Sequence, residues 1–433
     1  MKSTKKIIIC AGFIILLMIS WIVTISAKSQ EEKQIELLNQ AISLMNDGIY
    51  VKAVPLLEKA AELRTKHTLA VEAELKRAYL ALINTPGYRS RYIRLLEAQL
   101  LRDNVPAEIY IEAANFYLAA NRLSEAFNVF VIGIEKTGCE KLIELYESNR
   151  YIYQVNRVGF DHVTAIYNGK AMVQNDGLWG IARTDGTLIV PCVYEQVSTF
   201  SEDRAIVKKD GEIFAVDVNN NRLALLHKNA SDFHSGFSEN RFPINIDGVW
   251  LRATGDFNIG TMGFEELGMY SGGYAAAKVN GKWGVIDKDT KWLISAQYDD
   301  VVRDELGRCY GQGAVFVRSG AAVLLITDGN VSEIIYEDAK PFSQEGYAAV
   351  KKFGKWGFID RNGAVIIDFI FDDALSFGQH LAAVKIENFW GYICKRGNIV
   401  IEPVFLNAKS FSGGSAPVLT ERGWDFITLI EFR

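Results

Sequence analysis

Residues 354–377 read Gly-Lys-Trp-Gly-Phe-Ile-Asp-Arg-Asn-Gly-Ala-Val-Ile-Ile-Asp-Phe-Ile-Phe-Asp-Asp-Ala-Leu-Ser-Phe. Trp356 to Ile359 and Ala364 to Phe369 are rich in β-branched and aromatic residues, and Asp360-Arg361-Asn362-Gly363 between them has turn chemistry, so the stretch predicts a β-hairpin. The same text recurs as Gly281-Lys282-Trp283-Gly284-Val285-Ile286-Asp287, as Leu178-Trp179-Gly180-Ile181 and as Phe389-Trp390-Gly391-Tyr392-Ile393. A fixed period makes the fold a stack of one unit.

Aligned on the Trp, the units fall at Trp179, Ile213, Trp250, Trp283, Ala322, Trp356, Trp390 and Trp424, at intervals of 34, 37, 33, 39, 34, 34 and 34. The Gly that follows is Gly180, Gly284, Gly357 or Gly391 in four units and is replaced in the others, as by Phe214, Leu251 and Asp425. An aromatic stands 14 or 15 residues after the Trp position (Tyr194, Phe264, Tyr298, Tyr336, Phe371, Phe405), usually followed by an acid, and a second aromatic comes a few residues later. Each unit predicts three strands. Strand A is small and alternating, as in Ala348-Ala349-Val350-Lys351. Strand B holds the Trp-Gly pair, and strand C ends at the aromatic. Gly within a strand weakens it, and the neighbouring ring is expected to cover the bare backbone. Gly186, Gly329, Gly363 and Gly397 sit where the B–C turn needs positive φ.

This repetition resembles the bacterial WG-repeat family over about residues 158–433. The resemblance implies an all-β repeat module, with no activity shared across the family and no catalytic residues to carry over. The expected role of Trp179, Gly180, Trp250, Trp283, Gly284, Trp356, Gly357, Trp390, Gly391 and Trp424 is structural.

The β part starts in mid-unit. Gly159-Phe160-Asp161-His162-Val163 has the aromatic and acidic end of a strand C with no Trp strand before it, and Gly423-Trp424-Asp425-Phe426-Ile427 is a strand B with little after it. An open stack would expose two edges, an aggregation hazard. Pairing the strand around Tyr151 to Phe160 with the final unit removes both, giving eight units in a propeller-like ring. An open β-repeat array is the alternative.

Ahead of the repeats, three lysines lie within Met1–Lys6, and Ile7–Ala27 holds 21 residues without charge. That is long enough to span a bilayer as a helix. It predicts a signal-anchor with the N-terminus cytoplasmic and residues 28–433 extracytoplasmic; cleavage near Ser26 or Ala27 would instead release a secreted protein. Residues 28–150 are helical by period, with turns at Gly48, Gly87 and Asn121. Ala41-Ile42-x-Leu44 through Ala60 and Ala113-Ala114 through Phe130 resemble tetratricopeptide helix pairs, a generic helical spacer being the alternative. The predicted domains are therefore residues 1–27 (anchor), 28–150 (tetratricopeptide-like) and 151–433 (repeat β domain).

Net charge is −5 over 433 residues, so nucleic-acid electrostatics are not expected. The five cysteines and five histidines show no metal or catalytic spacing, and no cofactor is expected. The acidic pairs Asp299-Asp300 and Asp372-Asp373 suit turn capping better than a calcium site, which needs 6–8 converging oxygens. The expected function is a non-enzymatic scaffold of the bacterial envelope binding a protein. The alternatives are a carbohydrate or cell-wall-polymer module using the Trp row, and an enzyme with its site in the channel of the repeats. The latter requires titratable residues converging from non-equivalent units.

Overall fold

The computed structural model describes residues 26–430. The run Ile7–Ala27 lies outside them except for Ser26 and Ala27. Among the described residues, no helix is long and apolar enough to cross a membrane. The chain divides into two compact units between Tyr146 and Glu147.

The first unit is all helical. Its described helices are α1 (26–46), α2 (Tyr50–Glu62), α3 (Thr68–Ala81), α4 (Tyr88–Leu100), α5 (Ala107–Ala119), α6 (Leu123–Thr137) and α7 (Glu140–Asn149), the last running past the division. The turns fall at Gly48, Gly87 and Asn121, all with positive φ. Helices from α2 to α6 each pack on the next. Close approach is set by small residues: Ala53, Ala60, Ala78, Ala113, Ala114 and Ala126 are fully buried. Buried tyrosine hydroxyls are satisfied by carboxylates one helix away, Tyr79 donating to Glu58 at 2.7 Å, Tyr92 to Glu112 at 2.6 Å and Tyr117 to Glu97 at 2.8 Å.

The second unit is an eight-bladed β-propeller. Each blade is a four-stranded antiparallel sheet. This corrects the three-strand unit. The fourth strand is two residues long, for example His162–Val163, Asp300–Val301, Asp373–Ala374 and Asn407–Ala408. So short a strand carries no alternation, which is why period-based reading passes over it. It follows strand C after one residue and opens the next blade, except in the third blade, where it is Ala230–Asp232 and follows after four; the blades span 162–194, 196–225, 230–264, 266–298, 300–336, 338–371, 373–405 and, for the eighth, 407–429. Its outer strand comes from the other end of the unit. Tyr153–Phe160 pairs with Gly423–Leu429, with Phe160 opposite Trp424, just as Phe371 lies opposite Trp356 and Phe405 opposite Trp390. The ring is closed.

One further correction concerns strand B. In the fifth blade the residue at the Trp position is Val323, not Ala322, because Arg318 pairs with Val323 as Lys351 pairs with Trp356. Gly320 sits one place earlier in its turn than Gly354 does, and aligning the two glycines shifts the register. At the Trp-Gly glycine, strand C supplies a ring in two blades, Trp292 over Gly284 and Phe369 over Gly357. Strand C makes a bulge opposite it and lays its own backbone there. A Cβ on Gly391 would stand 2.5 Å from the carbonyl oxygen of Ile401, and one on Gly180 2.6 Å from that of Val190. Where Leu follows the Trp position, the bulge moves. Leu251 pairs directly with Gly263 and Leu324 with Ile335, and the register shifts only beyond them.

Candidate functional site in the ring interior

The short strand forms one edge of every sheet and strand C the other. The C strands expose apolar side chains, such as Ile335 at 56% and Ile370 at 60%, while the second residue of the short strand is buried, as at Val163, Val301 and Ala374. The short strands are therefore the inner edges, and the residues that follow them line the interior.

The repeat tryptophans are held just behind this lining. Trp250, Trp283, Trp356, Trp390 and Trp424 are buried, and Trp179 is half-buried. Several carry a cation or imidazole from an inner strand or its connection. Arg303 lies 3.8 Å over Trp283, Lys340 5.0 Å over Trp356 and Lys409 5.5 Å over Trp424, and His234 stacks on Trp250 at 3.8 Å. The Arg and Lys contacts are favourable because the ring face is electron-rich. Gly180, Gly284, Gly357 and Gly391 take no part in this lining, being covered by strand C.

The acidic pairs have local work. The first acid caps the A–B turn of the following blade: Glu337 accepts from the N–H of Gly354 at 3.1 Å, Asp299 from Gly320 at 2.6 Å and Asp372 from Glu387 at 2.7 Å. The second acid accepts the N–H of the next residue, as Asp300 from Val301 and Asp373 from Ala374, both at 2.8 Å. Among the described residues no group of three or more His, Cys, Asp or Glu could hold a metal ion, and Cys139, Cys192, Cys309 and Cys394 are free.

One feature breaks the repeat. The connection from the inner strand to strand A in the fifth blade, residues 302–313, is longer than its counterparts, which accounts for the long interval in the sequence. Asp304 organises it, accepting the N–H groups of Leu306 at 3.0 Å and Arg308 at 2.9 Å and pairing with the Arg308 guanidinium at 2.7 Å. Leu306 is buried, and Gly307 presents its carbonyl to the N–H of Met269 in the fourth blade at 3.1 Å. From this loop Glu305 reaches the first and eighth blades. One carboxylate oxygen accepts from the backbone N–H of Ala165, and the other pairs with the Lys409 ammonium. In a closed ring of eight the fifth blade stands opposite the first, so these contacts cross the interior.

His162 is part of the same cluster. It lies edge-on to Trp179 at 5.4 Å and against Trp424 at 6.1 Å. Burial, helped by the Lys409 charge and opposed by Glu305, holds its pKa below the usual value. Its Nδ1 is buried without a hydrogen-bond partner. Thus the first, fifth and eighth blades contribute three titratable side chains to one place. The arrangement holds a carboxylate, with the charges of Lys409 and Glu305 paired. The sequence signal for the cluster was only the long interval.

The fold defines the class of protein: a β-propeller of eight repeats following a helical region. The repeats themselves match the WG containing repeat family at residues 159–179, 179–212, 261–283, 283–304, 329–356, 356–388 and 390–424. No curated protein matches the chain. Similar solved structures include "YCF48 bound to D1 peptide" (13% identity, TM-score 0.33, 62% of this chain and 100% of that one). Others are the "AfRom2 CNH domain" (10%, 0.33, 65% and 98%) and apo AztD from Citrobacter koseri (11%, 0.35, 60% and 87%). At such TM-scores these likenesses bear on neither ligand nor partner.

Proposed function

We propose that this is a non-enzymatic interaction protein that binds a protein partner along the outer rim of its propeller. The observation that carries the reading is the apolar rim of neighbouring blades. Val331, Ile334 and Ile335 in the fifth blade and Val365, Ile366 and Ile370 in the sixth are 38–60% exposed. Ile334 also reaches the turn of the next blade, its Cδ1 lying 3.5 Å from where a Cβ on Gly363 would be. Contiguous exposed apolar surface of this kind marks interaction sites, and an edge strand has free backbone groups for a partner strand. The helical unit, as a short tetratricopeptide-like array, would add a second recognition surface. A carbohydrate platform draws less support, because the tryptophan rings are mostly buried.

The reading includes tethering by Ile7–Ala27 on the outer face of the cytoplasmic membrane, supported by the three lysines before that apolar run. Protease added to intact spheroplasts is expected to digest the protein to a short fragment; full protection would overturn the tether. A photo-crosslinking residue at position 335 or 370 should capture the same partner, while one at exposed Leu101 or Leu69 should not. Equal capture from all four positions would overturn the rim.

A further inference from the structure

We infer that the ring interior contains a binding site for a carboxylate presented from solution, with Glu305 as its internal occupant. The site goes beyond the rim reading and does not depend on it.

The two halves of the contact have their own supports. Glu305 sits on a loop shaped by its Asp304–Arg308 interactions and by Gly307 on Met269, with Arg308 also lying over the Tyr167 ring of the first blade at 5.8 Å. The cradle belongs to the first and eighth blades. Lys409 is placed by the Trp424 face, the Ala165 N–H by the short strand His162–Val163 and the Thr164 N–H bond to Met172 O just before it, and His162 by Trp179 and Trp424.

An ammonium and a backbone N–H converging on two oxygens of one carboxylate is charge-assisted recognition. The cradle also has capacity that Glu305 leaves unused. The His162 Nδ1 is buried and unpartnered, and a buried polar atom in that state is costly. A ligand carboxylate carrying a further polar group could satisfy it. Glu305, being tethered, competes with the advantage of effective concentration, so the intact protein should bind outside carboxylates weakly. The ligand class is a free organic acid or an acidic side chain of a peptide, which share this chemistry.

Glutarate and the peptide acetyl-Gly-Glu-Gly-amide separate the two sources. Each is titrated calorimetrically into the full chain at fixed ionic strength. Glu305→Gln removes the competing charge and keeps the side-chain shape. It is expected to bind at least one probe about tenfold or more tightly than the parent, and Lys409→Met added to it should abolish that gain. A Glu305→Gln protein that melts like the parent and binds neither probe more tightly overturns the site, as does a gain that survives Lys409→Met. Should Glu305→Gln fail to fold, the parent decides by amide hydrogen exchange. With saturating glutarate, exchange at Leu306 and Arg308 should accelerate relative to chloride of equal ionic strength, and unchanged exchange overturns the proposal.

Discussion

The carboxylate of Asp425 accepts a hydrogen bond at 2.8 Å from the backbone N–H of Val158, 267 residues earlier in the chain. The same oxygen accepts the N–H of Gly159 at 3.0 Å, and the other accepts the Thr420 hydroxyl at 3.1 Å. Asp425 holds the place that Gly391 holds in the seventh blade. In both, the outer strand bulges away from pairing. At the closing blade that strand comes from elsewhere in the chain, and the side chain at the Gly position grips its bulge. Asp425 is 3% exposed, and its loss leaves the Val158 and Gly159 N–H groups without this partner. Asp425→Ala is expected to cost about 1–3 kcal/mol. Asp425→Gly, which restores the repeat's own residue, should cost as much, because it fills no hydrogen bond. Urea unfolding of the two variants checks this; a Gly variant as stable as the parent would show that the grip contributes nothing.

The glycine of the Trp-Gly pair should tolerate a methyl group badly. In Gly391→Ala the Cβ would meet Ile401 O at 2.5 Å and Pro403 N at 2.7 Å. Backbone cannot rotate aside as a side chain can, so a loss of about 1–3 kcal/mol is expected from overpacking. Gly354→Ala is the contrast. It has nothing within 4 Å, and its φ of +75° is the only obstacle. Its cost should come from backbone strain alone, of roughly 1 kcal/mol. Paired denaturation curves separate the two, and equal or reversed costs would contradict the bulge account.

The closed ring was legible because an incomplete unit at each end of the repeats named its missing strand: Phe160-Asp161 had the end of a strand C, and Trp424 the start of a strand B. The B–C turns were legible from Gly363 and its equivalents, whose φ is positive as their position requires. The inner strands were not, since two residues such as Asp373-Ala374 cannot show a period of two. Nor was the Asp425 grip or the Glu305 bridge. Their partners lie 104 to 267 residues away, and only closure of the ring brings them together.

Two histidines packed on repeat tryptophans, His162 and His234, should make the propeller weaken in mild acid. His234 is stacked on Trp250. Burial lowers its pKa from 6.5, Asp232 and Glu266 oppose this, and Arg303 adds to it; His162 shifts in the same direction. A lowered folded-state pKa means that the unfolded chain takes up the proton first. Stability from the neutral ring is complete above the unfolded pKa near 6.5 and declines as pH falls below it toward the folded pKa. Unfolding midpoints should therefore drop between pH 8 and pH 5, and His234→Phe should shrink that drop. A pH slope unchanged by His234→Phe would assign the acid sensitivity to other groups.

Trp390 and Trp356 are 7% and 4% exposed and each closes the end of its blade against the terminal aromatic of strand C. Alanine at either is expected to cost about 3–5 kcal/mol. Their emission should be blue-shifted and resistant to iodide. Trp179, only half-buried, should be quenched more readily. Free quenching of Trp356 and Trp390, with normal melting of the alanine variants, would place their rings on the surface and return the carbohydrate reading to the front.

Ring closure makes the last blade a condition for all the others. Removing residues 423–433 deletes the strand that joins Tyr153–Phe160 to Ser415–Thr420. It exposes Phe160 and the apolar side chains behind Trp424, and leaves two sheet edges unpaired. It also removes the Trp424 face on which Lys409 rests and so loosens the Glu305 bridge across the interior. An open stack would lose one unit and keep the stability of the rest, since its units interact only with neighbours. A closed ring should lose stability as a whole, with one large fall in melting temperature for the β unit or failure to accumulate. Circular dichroism melting of the truncated and full chains distinguishes the two. A truncated protein whose remaining blades melt at the parent temperature would mean that closure, although formed, contributes little to holding the ring together.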